Sequence, residues 1–300
     1  MRRKASGAEA NAAAPTLTRR RFLRLGVALG AGALVASYPV CIERSIVLTN
    51  HYRVAVPHLP LAFAGLRVVH LTDLHYGPLV PLSLIRSVVA RANALHGDLI
   101  VCTGDYVHHL RASQERTLEL VDTVWQALAE LTAPLGVYSV LGNHDHWADT
   151  ERSLHWLART GQDVQHRAVV LERDGARLWL VGAGDYWEDH RALDDLLDDL
   201  PTGDCRIVLA HNPDTADSDY AGRVDLMIAG HTHGGQVRLP GLGASVVPVR
   251  NKRYIRGLLR SDRGEPLFIS SGIGWAGLPV RLACYPEIAV LELVTEGDGA

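Results

Sequence analysis

Five short segments hold the residues best equipped for chemistry: Thr72 Asp73 Leu74 His75, Thr103 Gly104 Asp105, Gly142 Asn143 His144 Asp145, His211 Asn212 Pro213, and Gly230 His231 Thr232 His233. Between them they offer two aspartates (Asp73, Asp105), Asn143 and four histidines (His75, His211, His231, His233) as oxygen and imidazole donors, with no thiolate. That mixture suits Mn, Fe or Zn rather than a cysteine-built structural zinc site. The set is too large for one ion, whereas a carboxylate can turn one oxygen to each of two. Ion pairs of that kind, about 3.5–4 Å apart, activate water and clamp a phosphoryl group.

Something must bring the segments together, and the apolar pattern says what. Leu66 to Leu71, Asp98 to Cys102, Val137 to Leu141, Leu178 to Val181, Ile207 to Ala210 and Leu226 to Ala229 are short runs rich in Val, Ile and Leu, bounded by Gly, Asp or His. They read as buried strands. Five of these six runs end directly in a donor segment. Helical periodicity marks Leu82 to Leu95, Gln114 to Leu131, Thr150 to Thr160 and Arg191 to Leu200 between them. Alternating strands and helices predict an α/β architecture, and ligands of such sheets bind at the carboxyl ends of the strands. The five segments are therefore expected to share one edge. Val237 to Val249, Leu267 to Ser271 and Glu287 to Val294 read as further strands, so the expectation is a two-sheet sandwich flanked by helices.

The ordered pattern D-x-H, G-D, G-N-H-D, H and G-H-x-H resembles that of calcineurin-like metallophosphoesterases. Within that superfamily, Gly230 His231 Thr232 His233 Gly234 Gly235 Gln236, His211 Asn212 Pro213 and the Gly272 to Pro286 stretch resemble a bacterial branch of exported or membrane-associated phosphodiesterases. The likeness covers roughly residues 50 to 294 and implies a four-layer α/β/β/α sandwich of two mixed sheets. Position by position, it implies that Asp73, His75 and His233 hold one divalent ion, that Asn143, His211 and His231 hold a second, and that Asp105 bridges them. A metal-bridging hydroxide would attack phosphorus in line. His144 would donate a hydrogen bond or proton to the phosphate or leaving oxygen, with Asp145 orienting it. Manganese is the first expectation, with iron or zinc behind it. Purple acid phosphatases of the superfamily carry a tyrosine ligand three residues after the bridging aspartate; here that position is His108 while Tyr106 adjoins Asp105, which argues against a ferric site.

The first forty residues have a different composition. Thr18 Arg19 Arg20 Arg21 Phe22 Leu23 Arg24 leads into the uncharged, Gly- and Ala-rich stretch Leu25 to Ala36, which resembles a twin-arginine export signal. The expected organisation is a signal or membrane anchor over 1–37, a linker and first strand region over 38–60, the catalytic domain over 61–294 and a tail over 295–300. Val35 Ala36 Ser37 is a mediocre cleavage site, so an uncleaved anchor is the alternative. The predicted location is the periplasm or cell envelope, with the twin-arginine machinery as partner. After residue 40 no apolar run reaches the roughly 18–20 residues needed to span a bilayer.

Residues 1–37 hold seven Lys and Arg against one acid, leaving 23 basic and 32 acidic groups for the rest. An acidic body lacks the basic footprint of nucleic-acid binding. Cys41, Cys102, Cys205 and Cys284 lie far apart, with neither zinc-knuckle nor disulfide spacing. Of the 15 histidines, His108, His109, His146, His155, His166 and His190 are assigned by default to surface or core. Asp185 reads as a turn residue, Trp147, Tyr186 and Trp187 as packing or contacts for an organic group, and Arg250, Lys252 and Arg253 as a solvated cluster. The substrate expected is a phosphodiester. The rival readings are a lipid- or nucleotide-linked pyrophosphatase of the UDP-2,3-diacylglucosamine type and a non-catalytic metal-binding protein.

Overall fold

The computed structural model describes residues 18–110, 113–239, 241–244 and 246–298; the basic residues Arg2, Arg3 and Lys4 of the leader and the last two residues of the tail lie outside them. The chain divides into two compact units, one ending at Tyr38 and the other starting at Pro39. Helix α1 (Arg19–Cys41) runs through that boundary, and Arg19–Ser45 is long and apolar enough to cross a membrane by length and composition.

The second unit contains thirteen strands among the described residues: β1 (Leu48–Ala55), β2 (Arg67–Leu71), β3 (Leu99–Thr103), β4 (Val137–Val140), β5 (Arg167–Arg173), β6 (Ala176–Gly182), β7 (Cys205–Leu209), β8 (Leu226–Ala229), β9 (Arg238–Leu239), β10 (Gly243–Ala244), β11 (Gly257–Arg260), β12 (Pro266–Ile269) and β13 (Glu287–Val294). Its helices are α2 (Leu82–Ala94), α3 (Gln114–Leu128), α4 (Asn143–Thr160) and α5 (Asp194–Leu197). One sheet has the order β1-β13-β2-β3-β4 and the other β11-β12-β8-β7-β6-β5. Both are mixed, since β13 runs antiparallel to β2 and β5 antiparallel to β6, while β2, β3 and β4 run parallel, as do β6, β7, β8 and β12.

Side chains alternate across each strand, and the apolar runs serve two cores at once. In β3, Leu99 and Val101 point into the core between the sheets, where they meet Ile207, Leu209, Ile228 and Phe268. Ile100 and Cys102 point the other way, toward Ile85 and Val88 of α2 and Val121, Val124 and Trp125 of α3. A third core covers the outer face of the second sheet with Val208, Met227, Leu193, Leu197 and Tyr254. Burial on both faces explains why these strands read as unbroken apolar runs rather than alternating ones. The fold is the expected α/β sandwich of two mixed sheets flanked by helices.

Three expectations change and two strands are added. Arg191 to Leu200 forms only the single turn of α5, where the Asp194 carboxylate accepts from Ala221 N (2.7 Å) and Gly222 N, partners distant in the chain. Val237 to Val249 is not a continuous strand but the two-residue pair β9 and β10, interrupted by positive-φ Gly241 and Gly243. The edge strands β5 and β11, half exposed, are found where the sequence reading placed no strand. Helix α4 starts at Asn143 rather than Thr150, with a break at Asp149 (φ −173°, ψ 108°) whose side chain accepts from Arg152 N and caps the second piece.

Candidate metal centre

The strand ends do gather the predicted donors, and the backbone shows how. Asp73, His75, Asp105, His231 and His233 all have φ between 48° and 68°. That left-handed region is sparsely occupied by residues other than glycine, and strain of this kind concentrates at functional sites. Strands β2, β3 and β8 are followed by residues in this region, which swings their side chains off the sheet and over its edge. Asp73, His75, Asp105, Asn143, His211, His231 and His233 are all buried there.

They form two groups. In the first, His75 Nε2 lies 3.0 Å from His233 Nε2, and His233 Nε2 lies 3.4 Å from Asp73 Oδ1. In the second, His231 Nδ1 lies 3.0 Å and Asn143 Oδ1 3.2 Å from His211 Nε2. Asp105 Oδ2 stands between them, 3.3 Å from His75 Nε2 and 3.4 Å from His211 Nε2. One carboxylate oxygen therefore touches both groups.

Neighbouring backbone sets the orientation of the rings. His211 Nδ1 faces Thr103 O at 2.7 Å and His231 Nε2 faces Pro248 O at 2.9 Å. Donation to those carbonyls leaves the opposite nitrogen of each ring for the centre, the usual outer support of a metal-binding imidazole. Helix α4 begins against the site, so that His144 N donates to Asp105 Oδ1 at 2.8 Å, and His231 N donates to the Asp73 carboxylate at 3.0 and 3.1 Å. Gly142 is required at the turn into α4, since a Cβ there would lie 2.8 Å from His211 Cε1 and would also collide with Asp105.

The electrostatics favour positive charge. Burial lowers the His211 pKa, yet the Asp105 charge and hydrogen bond win and push it up to about 10. Burial opposes ionisation of Asp105 too, but His211 and His144 hold its carboxyl well below the usual range. His231 is pushed down to about 3 by burial and by His211, and burial drives His233 well below its ordinary value. Asp105 is thus ionised, His231 and His233 are neutral, and His211 carries the proton that answers the Asp105 charge; a pocket that draws a positive charge inside and turns its ring nitrogens toward one another fits cations bound by O and N donors. These residues fit two divalent ions.

His144 lies at the rim. Its ring packs edge-on to His75 (centroids 4.6 Å apart) and against Trp147 (4.7 Å), and its Nδ1 has no protein partner. Asp145 does not orient it, a correction to the sequence reading. The Asp145 carboxylate instead accepts from the backbone N–H groups of Asp105 (2.7 Å), Tyr106 (2.9 Å), Val107 (3.4 Å) and Gly142 (2.9 Å). It fastens the turn that carries Asp105 to the start of α4. This geometry arises because Asp145 occupies the first turn of α4, pointing back toward its start.

Sequence reasoning missed His108, which stacks on His144 (5.7 Å) and groups with His75 and His144 within ligand reach. Its place three residues beyond Asp105, in the same strand-end loop, was the available signal. His108, His109, Leu110, His144, Trp147, Ala276 and Gly277 line a cavity of about 470 Å³ beside the centre. Trp187 packs edge-on to His231 at 4.4 Å, and Trp147 Nε1 donates to Glu188 at 2.8 Å. Asp185 accepts from Trp187 N and Glu188 N in a turn. Lys252 binds the Val247 and Val249 carbonyls, and Arg250 stacks on Tyr186.

A fold of this type with a histidine and aspartate centre at its strand ends defines a class, and the sequence comparison agrees: residues 66–235 match the family model described as calcineurin-like phosphoesterase. The chain belongs to that family and is a metal-dependent phosphoester hydrolase. It is 34% identical to the phosphodiesterase YaeI of Escherichia coli over 77% of this chain and 83% of that protein. It is 29% identical to the metallophosphoesterase YkuE of Bacillus subtilis, over 92% and 98% of the two chains. Similarity extends to the UDP-2,3-diacylglucosamine pyrophosphatase LpxG of Chlamydia trachomatis, at 26% identity over 80% of this chain and 88% of that protein.

Proposed function

We propose that the protein is an exported phosphodiesterase of the cell envelope that works with two divalent ions, manganese first. The observation carrying this reading is Asp105 Oδ2 set between two donor groups, which suits a bridging ligand. Asp73, His75 and His233 would hold one ion and Asn143, His211 and His231 the other. When bound, the ions supply Lewis acidity to the phosphoryl oxygens and to the attacking water. His144, pushed down to about 3 by burial, is neutral near pH 7 and offers a ring N–H to a phosphoryl or leaving oxygen. Asp145 keeps Asp105 in place through the backbone. The cavity beside His144 receives the organic group of the ester, with Trp147 as an aromatic wall.

The arginine pair ahead of an apolar helix supports twin-arginine export, with α1 (Arg19–Cys41) as signal or retained anchor. Similarity to the E. coli phosphodiesterase favours a diester. The pyrophosphatase reading is kept because the cavity adjoins the apolar stretch Ile273 to Val280 and because the Chlamydia relative is named for such an activity.

The test is hydrolysis of an aryl phosphodiester and monoester by metal-stripped protein resupplied with Mn, Fe, Zn or Mg, alongside Asp105→Ala and His144→Ala. We expect metal-dependent turnover, lost in Asp105→Ala together with metal binding. His144→Ala should keep its metal and lose about 10²–10³-fold in kcat. Folded protein that binds two ions and turns over neither ester would overturn the diesterase reading. Arg19→Lys with Arg20→Lys should leave the protein in the cytoplasm on cell fractionation; unchanged export would remove the twin-arginine route.

A further inference from the structure

The segments beside the cavity mouth carry an apolar surface that catalysis does not explain. Leu242, Val246 and Leu278 are 81%, 76% and 70% exposed, and Leu239 adds to them. Single exposed apolar residues are ordinary, but these lie on two loops joined into one surface. The Gln236 side chain donates to Ala276 O (3.0 Å) and Leu278 O (3.2 Å) and accepts from Ala276 N (2.9 Å). Arg238 N donates to Leu282 O and Leu282 N to Gln236 O.

The same surface holds the point where α1 enters the second unit. Arg281 N donates to Pro39 O at 3.0 Å, Cys284 N to Glu43 Oε1 at 2.7 Å, and Arg44 reaches Pro279 O while its guanidinium lies 4.7 Å over the Trp275 ring. Ile42 and Ile46, on the root itself, are exposed as well. The helix ending here is long and apolar enough to span a membrane. Charge points the same way. In a body with an excess of acids, residues 236–250 and 276–286 contain no Asp or Glu and include Arg238 and Arg250, while the buried Arg281 is spent on the carbonyls of Ser271, Gly274 and Cys284. Glu43, at the root, is buried, so the exposed apolar side chains are flanked by arginine and not by acids, which suits the headgroup region of an anionic bilayer.

We propose that this face, formed by residues 236–239, 241–244, 246, 276–282 and the root of α1, docks on the lipid bilayer and seats the catalytic cavity at headgroup level. Ala276 and Gly277 line that cavity, and Leu278 follows them directly, so a lipid-embedded leaf of the surface continues into the site. A phosphoester carried by a membrane lipid then reaches the metals without leaving the bilayer. The inference rests on α1 being membrane-associated.

The experiment uses the full chain in a Cys41→Ser background, because Cys41 is exposed while Cys102, Cys205 and Cys284 are buried. Leu242→Cys, Leu278→Cys and, as a distant control, Asp174→Cys in the β5–β6 turn each receive an environment-sensitive fluorophore. The labelled chains are reconstituted into vesicles of phosphatidylcholine and phosphatidylglycerol. We expect blue-shifted emission and quenching by shallow nitroxide lipids at 242 and 278 and neither at 174. Vesicle-bound protein with all three labels in water would overturn the docking face and leave α1 as an anchor. Protein that never floats with the vesicles would sink the reading of α1 and the face together. A blue shift that needs no vesicles and grows with protein concentration would assign the face to a second copy instead. Leu242→Glu with Val246→Glu should leave turnover of a soluble aryl diester unchanged and slow a vesicle-embedded diester about tenfold or more; equal effects on both would count against the proposal.

Discussion

At the scale of single residues, the centre is held by groups that never touch an ion. Asp145 shows this most clearly: Oδ2 takes the N–H groups of Asp105 and Gly142, and Oδ1 those of Tyr106 and Val107. In Asp145→Asn an amide would face two of these donors, leaving buried N–H groups unpaired. The expected loss is about 3 kcal/mol or more of stability, read by urea unfolding of the metal-free protein. Because the change acts through Asp105, metal affinity and activity should fall together; activity lost at unchanged affinity would instead restore Asp145 to the chemistry. His70 offers a pH test. It is buried between the sheets, its Nε2 lies 2.8 Å from Thr103 Oγ1, and burial pushes it down to about 3. The folded value lies below the ordinary 6.5, so between these limits the unfolded chain binds a proton that the native one excludes. Stability should be complete above pH 6.5 and decline as pH falls toward 3, by up to about 1.4 kcal/mol per pH unit from this group. His70→Gln should flatten that part of the denaturation profile, and an unaltered slope would show that other groups govern it.

At the scale of elements, the strand-to-loop junctions do most of the positioning. The turn between β4 and α4 is tight. Gly104, at φ 90°, approaches Gly142 so closely that a Cβ would lie 2.7 Å from Gly142 Cα. Gly142→Ala should therefore displace Asp105 and His211 while leaving both sheets intact. We expect metal stoichiometry, measured by elemental analysis, to fall from two with circular dichroism unchanged. Two ions retained at full affinity would show that the turn yields more readily than its contacts suggest. The elements also explain what was hard to read. The buried parallel strands stood out as continuous apolar runs, but β5 and β11 are edges whose residues are half exposed, so their pattern resembles loop. The Arg191 to Leu200 segment has a helical apolar spacing, yet Asp194 bonds across to residues 221 and 222, a tertiary contact that local periodicity does not contain.

On the scale of the whole molecule, the centre ties the two sheets together. Asp73, His75 and Asp105 follow strands of one sheet, Asn143 follows its edge strand, and His211, His231 and His233 follow strands of the other. Ions bound among them favour the folded state by mass action, by roughly 3 kcal/mol per site at a free concentration near 100 times the dissociation constant. Chelation should accordingly lower the unfolding temperature by several degrees, more in the wild type than in Asp105→Ala. Equal melting of chelated and metal-loaded protein would mean that the sheets hold without the ions.

The donor types, their order and their position at strand ends were legible because strands, turns and motif spacing are short-range properties of the chain, and five local signals happened to agree. The family and the α/β sandwich followed from them. What only the tertiary structure decided was relational. The carbonyls of Thr103 and Pro248 orient His211 and His231 from 108 and 17 residues away, and Asp145 serves the backbone of Asp105 rather than the ring of His144. His108 joins the rim because its loop folds over His75, and the root of α1 meets the strap of residues 275–284 beside the cavity. Each of these depends on which distant atoms share a buried space, and no local pattern of residue types encodes that distance.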